Sequence, residues 1–153
     1  MGLKPDRYVV HDNTIYFMNQ TATRGGIVSI STVGSGAATD QSVSVVHYAS
    51  TVSGAAPVGL LLQDVVNKDL TQTPQNFHKN EVQLGSKVAL LVQGEVVTDV
   101  IKSGDSPVAG SKAYLSSQGQ VTITNTGAAA SPYVGKFLSS KDEDGYARLH
   151  VDL

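Results

Sequence analysis

The chemically capable residues of this chain are four histidines, a Gly-Ser-Lys tripeptide that occurs twice, and one tight run of acids. His11, His47, His78 and His150 lie far apart, and none forms the H-E-x-x-H spacing that turns two imidazoles onto one metal. Structural or surface roles are the expectation for all of them. Serine is plentiful, but no G-x-S-x-G elbow is present, and Gly34-Ser35-Gly36 sits among small residues that read as a linker. Gly85-Ser86-Lys87 and Gly110-Ser111-Lys112 match the tail of a phosphate loop. The full G-x-x-x-x-G-K-[ST] motif is missing, and a strand pattern follows where a helix N-terminus would have to supply the anion site. Lys141-Asp142-Glu143-Asp144-Gly145 bunches three carboxylates without the alternating ligands and later bidentate Glu of a calcium loop. A solvated hairpin tip is the simpler reading. These absences predict a chain without cofactor, metal or catalytic constellation, hence not an enzyme.

Asn76-Phe77-His78-Lys79-Asn80 differs in kind. One aromatic flanked by polar residues lies in a long irregular stretch broken by Pro74. Phe77 either anchors a loop to the core or meets a partner, since binding residues concentrate on loops held by a rigid scaffold.

The elements that would position these residues are strands. Gly, Ser, Thr and Val are abundant and Trp is absent, the mix of a turn-rich β protein, because β-branched side chains suit a pleated surface and Gly supplies positive φ. The net charge of −2 gives no basic footprint for nucleic acid. Cysteine is absent, which excludes disulfides and thiolate-bound metals. No apolar run approaches a membrane span and the N-terminal residues lack a signal-peptide core, so a soluble product made in the cytoplasm is expected.

Strand-like runs occupy residues 7–10, 14–18, 26–33, 43–48, 86–92, 95–101, 112–116, 120–124, 134–139 and 146–153, the last two joined at Asp144-Gly145. Val28 and Ile30 alternate with Ser29 and Ser31, which predicts one buried and one exposed face. Residues 58–62 fit a helix or a strand; the echo of Val58-Gly59-x-x-Leu62 at Val134-Gly135-x-x-Leu138 favours a strand. Residues 85–96 and 110–121 share seven of twelve positions at an offset of 25, namely Gly-Ser-Lys, a Leu, Gln-Gly and a Val. This repeat predicts one β-hairpin used twice, over 85–101 and 110–124. The fold class expected is all-β: a small barrel or sandwich of hairpins over residues 56–153, preceded by an N-terminal arm or small β subdomain over residues 1–55. Removing residues 1–20 should then leave the barrel folded.

From residue 57 onward the chain resembles capsid decoration, or cement, proteins of tailed phages and their relatives in cyanophages and other marine phages. The resemblance is carried by residues 58–67 (VGLLLQDVVN), 76–83 (NFHKNEVQ), 94–98 (GEVVT), 134–140 (VGKFLSS) and 142–147 (DEDGYA). Residues 1–55 match no pattern of this kind. The resemblance implies a small β-barrel virion protein that is not an enzyme and binds the outside of an assembled head. It would cement neighbouring capsomers against the pressure of packaged DNA, with the major capsid protein as partner and a homo-oligomer, trimer or dimer, as its own state. A tail or fibre protein, with or without a bound glycan, is the alternative. Candidate interface residues are Arg7, Tyr8, Tyr16 and Phe17 in the N-terminal strand runs, where an unpaired strand seeks an edge, together with Asn76, Phe77, His78 and Lys79.

Overall fold

Three adjacent apolar pairs organise the molecule: Ile27-Val28, Leu60-Leu61 and Leu90-Leu91. All six side chains are fully buried, although successive residues of a strand point to opposite faces. Both faces of these strands must therefore be covered. In the computed structural model, which describes residues 2–31, 45–67, 81–125 and 131–153, they are. Ile27, Leu60 and Leu91 enter one apolar cluster with Leu115, Phe137 and Leu149. Val28, Leu61 and Leu90 enter a second with Met18, Val46 and Val65.

Twelve strands build this arrangement among the described residues: β1 (Tyr8–Asn13), β2 (Phe17–Met18), β3 (Ile27–Ile30), β4 (Val45–His47), β5 (Pro57–Leu61), β6 (Asp64–Val66), β7 (Glu81–Gln83), β8 (Leu90–Thr98), β9 (Lys112–Leu115), β10 (Val121–Thr122), β11 (Tyr133–Phe137) and β12 (Ala147–Asp152). The main sheet runs β10-β9-β11-β12-β8-β5-β3-β4-β2, with β1 added on β8, and β6 pairs with β7 in a small parallel sheet. No α-helix occurs among the described residues, whose one helical element is a 3-10 turn at Ser117–Gly119.

The sheet curls back on itself twice. At one end Ile101, just beyond β8, bridges Val121 of β10, so β8, β12, β11, β9 and β10 form a ring around the first cluster. At the other end Phe17 of β2 bridges Lys87, in the lead-in to β8, and closes β5, β3, β4 and β2 around the second. Strands β3, β5 and β8 are the shared wall. The expected all-β barrel-like architecture is present, as two cores rather than one.

Several sequence expectations change in detail. Residues 57–61 are a strand, and the unbroken apolar run that also fitted a helix is the mark of a strand buried on both faces. Ser29 is fully buried beside Val28, so β3 has no polar outer face. The boundary at residue 55 falls between paired strands: β3 bonds to β5 across it, and Leu3 and Met18 lie in the two cores. Residues 1–55 contribute strands to the common sheet, and deleting 1–20 would open both cores.

The repeat survives by half. Ser86 N–H donates to the Gln83 carbonyl and Ser111 N–H to the Val108 carbonyl, both at 3.0 Å, with Gly85 and Gly110 at φ of 87° and 90°. The two Gly-Ser-Lys segments are one turn made twice. The Gln-Gly half diverges: Gly119 lies in the turn from β9 to β10, whereas Gly94 lies inside the continuous strand β8. Residues 85–101 are not a hairpin.

A candidate interaction edge

The N-terminal residues run as an antiparallel ribbon along β8 and its lead-in. Leu3 bridges Thr98, Tyr8 pairs with Glu95, Asn13 with Leu90, and Phe17 bridges Lys87. The two ends are anchored by burial, Leu3 in the first core and Met18 in the second. Between these anchors lie Asp6, Arg7, His11 and Asp12, polar groups that no apolar core can accept. This stretch is consequently held against the outside of β8, and β1 is exposed on both faces along almost its whole length. Its inner edge bonds to β8; among the described residues its outer edge has no strand partner.

Tyr8 (64% exposed), Val9 and Val10 (55%) follow one another along this edge. Consecutive large apolar side chains on a free strand edge are what soluble proteins ordinarily blunt. Here the blunting is partial. The β1–β8 register shifts between Val9 and His11 and again between His11 and Asp12, irregularities of the bulge type that are common at sheet edges. Asp6 is tied to Arg148 at 2.7 Å, and Arg148 also approaches Glu95 at 3.9 Å. Exposed pairs of this kind contribute at most about 1 kcal/mol, so they orient the entry to β1 more than they stabilise it.

The structure places Arg7 and Tyr8, two of the sequence candidates, at this edge; both are exposed. Tyr16 and Phe17 are half-buried parts of the second ring: the Tyr16 carbonyl accepts from Val88 N–H at 3.0 Å, and Lys87 Nζ stands 5.7 Å from the Phe17 ring centre. Asn76, Phe77, His78 and Lys79 lie outside the described residues. Val9 and Val10 were missed as surface residues because two valines in a strand read as core. The available signal was their neighbours, Asp6, Arg7, His11 and Asp12, which leave β1 without an apolar face.

The acidic run is a turn, as expected. Asp142 Oδ1 accepts from the N–H groups of Asp144 at 3.0 Å and Tyr146 at 2.9 Å, and Asp142 Oδ2 meets Lys4 Nζ at 3.2 Å. The Tyr146 N–H first, then Lys4 and the Asp144 N–H, hold the Asp142 carboxyl below the usual range. Its oxygens are engaged in shaping the hairpin. His11, His47 and His150 sit on β1, β4 and β12, and among the described residues no group of three or more His, Asp or Glu side chains is placed to hold a metal ion. An aromatic pair stands elsewhere among the described residues: half-buried Tyr114 of β9 and exposed Tyr133 of β11 meet edge to face, centroids 6.2 Å apart.

No protein-family model matches the chain, and no curated protein matches it either. No described helix is long and apolar enough to cross a membrane.

Proposed function

We propose that this protein is a structural attachment module that docks on a larger protein assembly through β1. The observation that carries this reading is an edge strand whose outer edge has no strand partner among the described residues, with the consecutive side chains Tyr8, Val9 and Val10 exposed. Such an edge binds by strand addition: main-chain hydrogen bonds supply affinity and the alternate side chains supply selectivity. The resemblance of residues 57–153 to phage decoration proteins supports the outer face of a capsid as that assembly. There the module would join neighbouring capsomers of the major capsid protein, as part of the virion and as a homo-oligomer. The absence of a basic footprint fits a partner that is protein rather than packaged DNA.

The test uses phage heads stripped of this protein. The wild type should bind them saturably with a fixed copy number. A double variant, Tyr8→Lys with Val10→Lys, should lose at least about tenfold in affinity, equivalent to about 1.4 kcal/mol. Its unfolding free energy should change by no more than about 0.5 kcal/mol, as for exposed sites generally. Undiminished binding by a folded variant sinks the edge as the docking surface.

The Tyr114–Tyr133 pair favours a second reading, a tail or fibre subunit that stacks a glycan on the exposed Tyr133 ring. Loss of cell-surface or glycan binding in Tyr133→Ala, with head binding absent in the wild type, would select it.

A further inference from the structure

A second site lies away from β1 and is independent of the docking reading. Ser29 of β3 and His47 of β4 are directly opposite each other in the antiparallel ladder, so their side chains share a face. Ser29 is fully buried. Its Oγ and the Nδ1 of His47 are both shielded from solvent, and neither has a hydrogen-bond partner among the described residues. A buried polar atom without a partner costs about 1–3 kcal/mol, and native structures keep few of them. Two that face each other across one ladder rung call for a common cause.

Both residues line the same half-open cleft of about 310 Å³. That is far more than the roughly 10–15 Å³ that a single ordered water requires. The other polar side chains that line the cleft among the described residues are Ser31, Ser50, Thr51 and Ser53, the last three from the turn that follows β4. The composition is selective. Every one of these groups carries a hydroxyl or an imidazole and can donate a hydrogen bond. Among the described residues no carboxylate and no side-chain amide lines the cleft, so none of them repels negative charge or demands a donor from the ligand. A ligand that accepts several hydrogen bonds and donates few is the complement of such a wall.

We propose that this cleft binds a small oxyanion, a phosphate or a carboxylate, with the Ser29 hydroxyl and the His47 imidazole at its floor. The ligand oxygen takes the place of the missing partners, and the turn residues close over it from the rim.

The whole ¹⁵N-labelled chain is titrated with sodium phosphate, and separately with sodium acetate, at fixed pH and at ionic strength held constant with chloride. Saturable amide shifts at residues 29–31 and 47–54, with a rise in Tm, are the expected result; the anion that saturates at lower concentration identifies the class. Ser29→Ala and His47→Gln should each weaken that binding at least tenfold. Ser29→Ala also removes a buried group that lacks a partner, so without anion it should melt at or above the wild-type temperature. It decides the matter alone if the histidine variant does not fold. The proposal is overturned if neither anion gives saturable shifts, if the shifts fall elsewhere, or if Ser29→Ala binds as the wild type does. An ordered water only, with Ser29→Ala raising Tm and no anion bound, overturns it equally.

Discussion

Val9, Gly94, Val151, Gly135 and Ala113 lie in one row across five strands. The two glycines flank Val151, and each has positive φ inside a strand. A Cβ at Gly135 would run into the His150 carbonyl oxygen, and one at Gly94 into the Tyr8 carbonyl oxygen. These residues are where the sheet bends sharply enough to close, the barrel-corner use of glycine. Gly135→Ala should therefore lower the unfolding free energy by roughly 3 kcal/mol or more, because backbone, not a pliable side chain, is in the way. Gly104→Ala is the control: its positive φ is strained, but a Cβ there meets nothing within 4 Å, so roughly 1–2 kcal/mol is expected. Equal losses in urea titrations of the two variants would remove close approach as the cause. The glycines themselves were plain in the sequence, and the repeated Gly-Ser-Lys does form one turn made twice. Gly94 was not, because Gln-Gly is the same local text whether the chain turns there or lets a neighbouring carbonyl through.

At the scale of elements, β8 is the hub. It bonds to β1 on one side and to β5 and then β12 on the other. At its end, buried Thr98 shares its hydroxyl hydrogen between the Gly2 carbonyl at 2.8 Å and the Gly25 carbonyl at 2.9 Å, and accepts from Val100 N–H at 3.1 Å. Thr98→Val keeps the shape and removes these bonds, so it should cost about 1–3 kcal/mol. The effect should be local first: amides of residues 2–13 exchange with deuterium faster, while those of β9 and β11 keep their protection. Uniform loss of protection would mean that Thr98 supports the whole fold and not the ribbon. Alternation and turn chemistry made most strands legible, including the Asp144-Gly145 hairpin and the β9 to β10 turn. Partners were not legible, since the pairing of residues 3–17 with 87–98 joins segments some eighty residues apart and no local pattern encodes it.

For the whole molecule, the shared wall makes two cores one folding unit. Losing either core strips one face from β3, β5 and β8, and the other core then loses its wall. Leu60 and Leu61 allow a clean test, being neighbours that serve different cores. Leu60→Ala and Leu61→Ala should each cost about 2–5 kcal/mol. Both should shift the same single urea transition, with no change in its slope. A biphasic curve for either variant would show that the cores unfold separately. Composition alone announced an all-β chain, but the expected division at residue 55 is crossed by the pairing between β3 and β5. Of the candidate residues, Arg7 and Tyr8 were legible as part of a strand run, whereas the pairing of Tyr8 with Glu95 of β8 was not. The Ser29–His47 cleft was not readable, because its walls come from β3, β4 and a turn that only folding brings together.

The ribbon along β8 also has a mechanical meaning. Hydrogen bonds of an antiparallel pair stand across the strands, so a pull along β1 loads all its bonds to β8 at once, in shear, instead of opening them one by one. The force then enters the strand that both cores hold. Anything that grips the protein by β1 therefore pulls on β8, the strand anchored in both cores.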